Sequence, residues 1–287
     1  MSNLPWRPLG QADDEATALV EDVPPWMRES FWSWVKPHFV KTEMVPRFGR
    51  SFETFDVGLL RTAERKCRFS VEYRETGVRD GMALLRRVVE ARGEELRLAD
   101  FLLTGTSRKQ NPTALDLILV ESGSAWKVGT RDGHPGLERR VAVGVQEAAE
   151  HAMREGGQAG QRLSQAWHAA FGLDPNPSHA YALAVKAVED AAIPIVVPMQ
   201  ADASLGHVIG QLRKDGDWSL PLTREDPTAP TSEALVRLCQ ALWKGHSDRH
   251  GGDPKTPQSV DQAEAETAVL LAVPLVHWFT SGAVARR

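Results

Sequence analysis

An α+β amino-terminal half joined to an all-helical carboxy-terminal half is the fold this sequence predicts. Three observations lead there. Short β-rich runs alternate with amphipathic helical patterns up to residue 157. Beyond it, apolar residues recur almost entirely at helical spacing. Between the two patterns stands Glu155-Gly156-Gly157-Gln158, whose paired glycines mark a break. The expected domains are therefore residues 1–157, α+β, and residues 158–287, a helical bundle.

The first twenty residues are polar and contain Pro and Gly, so they read as an extended arm. Val23-Pro24-Pro25-Trp26 then opens a helix over residues 27–36, because proline suits a first helical turn. Trp26, Phe31, Trp34 and Val35 would share one apolar face, as an anchor to the core or as a base-stacking platform. Residues 66–73 alternate and are rich in β-formers, which predicts a strand. Met82, Leu85, Val88 and Val89 predict an amphipathic helix over residues 80–91, with Gly93 to end it and a second short helix over 96–103. Residues 114–120 and 125–128 flank Glu121-Ser122-Gly123-Ser124 in the pattern of a hairpin. A third strand over 137–145 and a helix over 146–154 complete this half.

Helices follow. One over residues 163–171 ends at Gly172, and Asp174-Pro175-Asn176-Pro177-Ser178 makes a turn. Ser178 then caps a helix over 179–192 with the stripe Tyr181, Val185, Val188, Ala192. Pro194 and Pro198 bracket an extended Ile195-Val196-Val197. Ser204 caps a helix over 205–213, a polar loop runs to about Thr231, and helices over 232–244 and 260–279 close the chain. Asp261, Glu264 and Glu266 sit in the first turns of the last one, where carboxylates complement the helix dipole.

Composition narrows the function classes. The longest apolar run, residues 268–279, is shorter than the roughly 18 residues a membrane helix needs and contains Pro274. The amino-terminal residues have neither a basic start nor an apolar core, which predicts no signal peptide and a cytoplasmic protein. Cys67 and Cys239 lie far apart without a CxxC partner, so each reads as a buried thiol. A net charge of −4 argues against coating nucleic acid through a broad basic face, and leaves room for a small site holding one phosphate.

The densest collection of catalytic residue types is Lys244-Gly245-His246-Ser247-Asp248-Arg249-His250-Gly251-Gly252, between two helices. Two histidines, an arginine and an aspartate can hold a phosphate and move protons, and the glycines allow close backbone approach. The same residues also suit a helix end finished with cations and stopped by glycine. His246 and His250, four apart, could ligate a metal on one helix face, but the glycines predict that the helix stops there and no HExxH glutamate intervenes. Elsewhere, Gly206 and Gly210 suit tight helix packing, and Thr104-Gly105-Thr106-Ser107-Arg108-Lys109 resembles a small phosphate-holding turn without Walker order. His168 and His179 flank a turn as surface or packing residues, and His277 reads as a core histidine.

A family resemblance rests on an ordered set of segments. These are Ala180-Tyr181 with Lys186-Ala187-Val188-Glu189, then Ser204-Leu205-Gly206-His207-Val208-Ile209-Gly210-Gln211-Leu212, then Asp248-Arg249-His250-Gly251, then an apolar helix. Over residues 158–287 this order resembles the carboxy-terminal domain of abortive-infection (phage-defence) proteins, which is HEPN-like. The resemblance implies a dimeric, metal-independent endoribonuclease that needs no cofactor. Its motif is an arginine, four to six residues, then a histidine. Carried over, His250 takes the histidine position and Lys244 stands where arginine is expected. Lysine neutralises phosphate but lacks the planar bidentate fork, so activity would be weakened or lost unless Arg249 supplies the guanidinium. His246 is a second candidate acid or base, Asp248 would orient a histidine or cap the turn, and Glu189 matches the polar residue that such domains carry near the site. Glu189 also reads as a solvated helix charge paired with Lys186 or Arg213. The expected partners are RNA, a second copy, and a phage or host trigger sensed by the amino-terminal domain. The alternative is a catalytically silent HEPN-like module that binds a protein or nucleotide.

Overall fold

The computed structural model describes residues 19–45, 50–74, 77–105, 111–131, 133–244 and 260–287. It is helix-rich α+β, with three two-stranded sheets among the described residues. Two compact units divide the chain: Met1–Gly129 with His134–Arg139, and Thr130–Gly133 with Arg140–Arg287.

In the first unit, α1 (Pro25–Val35) continues through a 3₁₀ turn (Lys36–Phe39) into the ribbon β1 (Val40–Val45) and β2 (Arg50–Phe55). The ribbon is antiparallel, with Val40 opposite Phe55 and Glu43 opposite Phe52. Helices α2 (Val57–Cys67), α3 (Val78–Arg92), α4 (Glu95–Thr104) and α5 (Pro112–Glu121) follow, then β3 (Trp126–Arg131) paired with β4 (His134–Arg139). Phe31, Trp34 and Val35 are buried as expected, whereas Trp26 is 68% exposed and its indole N–H donates to the Ser122 carbonyl. Trp32 and Trp34 donate to the Glu90 carboxylate and the Asn111 carbonyl, so both of these indoles keep a hydrogen-bond partner. Phe55 stacks on Phe39 and packs on Tyr73, and it covers Gly81, where a Cβ would come within 2.7 Å of the ring.

Two expected β elements are helical or irregular. Lys66 and Cys67 finish α2, which Asp56 caps through the Leu59 N–H and which ends with Arg68 in the left-handed region (φ 58°). The rest of the expected strand runs without a ladder. Glu64 accepts the Val71 N–H at 2.7 Å and Arg61 donates to the Val71 carbonyl at 3.3 Å, so side chains take over strand bonds while Phe69 and Val71 stay buried. Residues 114–120 lie in α5 rather than in a hairpin arm. Asn111 caps that helix through the Ala114 N–H, and Pro112 occupies its first turn, a start signal stronger than the β-branched content that follows. Pairing moves one element along, to β3 and β4. Residues 143–145 of the expected third strand belong to α6 (Val143–Glu155).

The second unit holds α6, α7 (Gly157–Phe171), α8 (Pro177–Val196), α9 (Leu205–Asp215), α10 (Thr231–Lys244) and α11 (Gln262–Thr280), with β5 (Trp218–Ser219) antiparallel to β6 (Ala285–Arg286). The expected junction at residues 155–158 is a corner inside this unit, between α6 and α7. Gly157 has φ +56°, and a Cβ on Gly160 would overlap the Met153 carbonyl oxygen, so the corner needs both glycines. Central helix α8 buries Ala180, Ala184, Ala187, Val188 and Ala191, and these small residues let α7, α9 and α11 pack closely on it. Arg162 on α7 pairs with Asp190 on α8 at 2.7 Å.

Asn176 rather than Ser178 caps α8, because Pro177 already fits the first helical position. The helix also runs past Pro194 to Val196 instead of turning extended. Proline removes one bond of the final turns, and burial of Ala191, Ala192 and Val196 offsets that loss. Helix α11 tolerates Pro274 likewise and starts in a reciprocal capping box between Asp261 and Glu264.

Candidate functional site

Of the six sequence-derived site residues, Lys244 and Glu189 are described. His246, Asp248, Arg249 and His250 lie outside the described residues, as do positions 106–109 of the phosphate-turn segment.

Lys244 is the last residue of α10 and is exposed. Three contacts hold its neighbourhood. The Tyr181 hydroxyl on α8 donates to the Leu242 carbonyl at 2.9 Å in a buried bond. This bond ties α8 to the last described turn of α10. The Glu189 carboxylate accepts the Leu205 N–H at 2.7 Å, which satisfies a free donor at the start of α9. Gly206 lies under Trp243, where a Cβ would come 3.0 Å from the indole. Two segments of the family resemblance, on α8 and α9, therefore meet the last described turn of α10. Gly206 serves close packing as expected, whereas a Cβ on Gly210 would meet nothing within 4 Å.

Local sequence accounts for the geometry of α9. Ser204 precedes its first turn, and the Ser204 N–H donates to Nδ1 of exposed His207 at 3.1 Å. Histidine here fills the capping-box position usually held by Glu or Gln, and an accepting Nδ1 leaves the neutral ring's proton on Nε2. Glu189 is half-buried and bonded to backbone, so part of its acceptor capacity goes to positioning α9. What the described part offers chemically is an exposed ammonium at a well-anchored helix end, suited to neutralising one phosphate.

Other polar groups divide into buried and accessible ones. Both cysteines are buried thiols as expected: burial pushes Cys67 up to about 11 and Cys239 up to about 12, far from a reactive thiolate. His277 departs from its expected core position. It is half-buried, and its ring lies 5.3 Å from that of exposed His151 at 62°, at one end of a groove between α6 and α11. Sequence reasoning missed this pair, because 126 positions separate the two residues and only the packing of α11 on α6 joins them. Among the described residues no group of three or more His, Cys, Asp or Glu side chains is arranged to hold a metal ion, and no helix is long and apolar enough to cross a membrane.

Compared with protein-family models, with curated proteins and with solved structures, the chain matches none.

Proposed function

We propose that the helical unit is a HEPN-like module of the abortive-infection class that cuts RNA as a dimer without a metal, and that the α+β unit senses a phage or host trigger. One observation carries this reading: the α8 and α9 segments behind the resemblance both reach the last described turn of α10, Tyr181 at Leu242 and Gly206 under Trp243, while Glu189 ties α8 to the start of α9. In this scheme Lys244 and Arg249 neutralise the scissile phosphate. His250 and His246, or the same residues of a second copy, exchange protons with the 2′-hydroxyl and the leaving oxygen. Asp248 orients a histidine, and Glu189 acts by positioning α9. No cofactor is required.

The test is induction of wild type beside His250→Ala, with and without phage infection, followed by survival counts and total-RNA integrity. Fragmented RNA with wild type alone is the expected result. Intact RNA with both proteins in both conditions overturns the nuclease. A second reading, a silent module that binds a protein or nucleotide, draws on Lys244 in the arginine position and on the engagement of Glu189 with backbone. It predicts that His250→Ala leaves the phenotype unchanged.

A further inference from the structure

The groove between α6 and α11 has a volume of about 540 Å³, within the roughly 300–1,000 Å³ typical of small-molecule sites. Its walls are apolar, formed by Val145 and Ala148 on α6 and by Leu270, Val273 and Pro274 on α11. Val145 and Leu270 remain 40% and 36% exposed, so water covers apolar surface that a ligand could displace. Polarity changes along its length. His151 is the last lining residue on α6, and His277, with Trp278 beside it, closes the lining stripe on α11. Their ring contact puts both imidazoles at the same end. Among the described residues no Asp, Glu, Lys or Arg lines the groove, so a cationic ligand finds no counter-charge from them, while two imidazoles can each turn an N–H toward one acceptor group.

We propose that this groove binds a small amphipathic carboxylate, with its hydrocarbon or aryl body along Val145, Leu270 and Pro274 and its carboxylate hydrogen-bonded by His151 and His277. The two oxygens of a carboxylate match two imidazole donors, and the apolar trough gains by excluding water from the tail. This site stands independently of the RNA-cutting reading.

Isothermal titration of the full chain with octanoate, octanol and octylamine tests it. Octanoate is expected to bind one per chain, more tightly than the alcohol or the amine. Replacing both histidines, His151→Gln with His277→Gln, is expected to weaken octanoate about tenfold or more and leave octanol nearly unchanged. Ala148 is exposed, so Ala148→Trp fills the trough without disturbing the core and is expected to abolish binding of every probe with the circular dichroism spectrum intact. No octanoate binding to wild type, equal affinity for octanoate and octanol, or binding indifferent to Ala148→Trp would each overturn the proposal.

Discussion

Replacing Tyr181 by phenylalanine removes one oxygen atom and tests the joint between α8 and the end of α10. The hydroxyl reaches the Leu242 carbonyl at 2.9 Å with Tyr181 only 6% and Leu242 only 1% exposed, so the freed carbonyl has little access to water. Leu242 lies in the last described turn of α10. The expected cost is that of a lost bond plus a stranded buried acceptor, about 1–3 kcal/mol. For a unit of this size each kcal/mol lowers the melting temperature by roughly 2–4 °C. Urea unfolding followed by circular dichroism should show a lower midpoint at unchanged slope, because the surface exposed on unfolding is the same. Hydrogen exchange should quicken selectively in the last turn of α10, before Lys244. A variant as stable as wild type within about 0.3 kcal/mol, with unaltered exchange there, would refute the claim that this hydroxyl anchors the helix end.

Three further perturbations probe the same framework. Glu189→Ala should cost about 1.5–3 kcal/mol by removing a charged acceptor from the Leu205 N–H, and Glu189→Gln distinctly less, since an amide oxygen still accepts; equal losses in chemical denaturation would count against the bond. Gly160→Ala forces a methyl onto the Met153 carbonyl at the α6–α7 corner and should destabilise by about 1–3 kcal/mol in a thermal melt, whereas a silent substitution would mean the corner yields. Glu95 is buried at the start of α4; burial chiefly, with the charges of Glu90 and Asp22, holds its carboxyl above the usual value, and a hydrogen bond from its own backbone N–H, with the charge of Arg28, only partly opposes this. A raised folded-state value means that Glu95 favours folding below the ordinary glutamate range and loses that contribution as pH rises through its folded value. Glu95→Gln should therefore gain stability relative to wild type above that window and match it below, and a difference that is flat with pH would contradict the assignment.

Legibility varied with the locality of the signal. Many of the helices were readable because their signals lie within a few residues: Gly93 after α3, Ser204 before α9, the acidic first turn of α11. The expected strand at residues 66–73 and the hairpin arm at 114–120 failed where a β-rich run also carried helix-starting chemistry. Asp56 and Asn111 with Pro112 decided the outcome by satisfying first-turn donors. Trp26 failed for another reason, since which side of α1 meets the core depends on where α5 sits. Of the candidate site, Lys244 could be placed on a helix from sequence, while the engagement of Glu189 with α9 could not, because sixteen positions separate acceptor from donor.

By itself the sequence determined that helices dominate beyond residue 157, that both thiols are buried, and that residues up to Lys244 are helical. These follow from propensities, caps and apolar periods, which act over a few residues. Only the tertiary structure decided that Gly156–Gly157 is a corner within a unit, that Tyr181 and Gly206 clasp the end of α10, and that His151 meets His277 across a groove. The last two are contacts between distant parts of the chain. Such contacts are fixed by how buried faces pack against one another, which no local pattern of residues encodes.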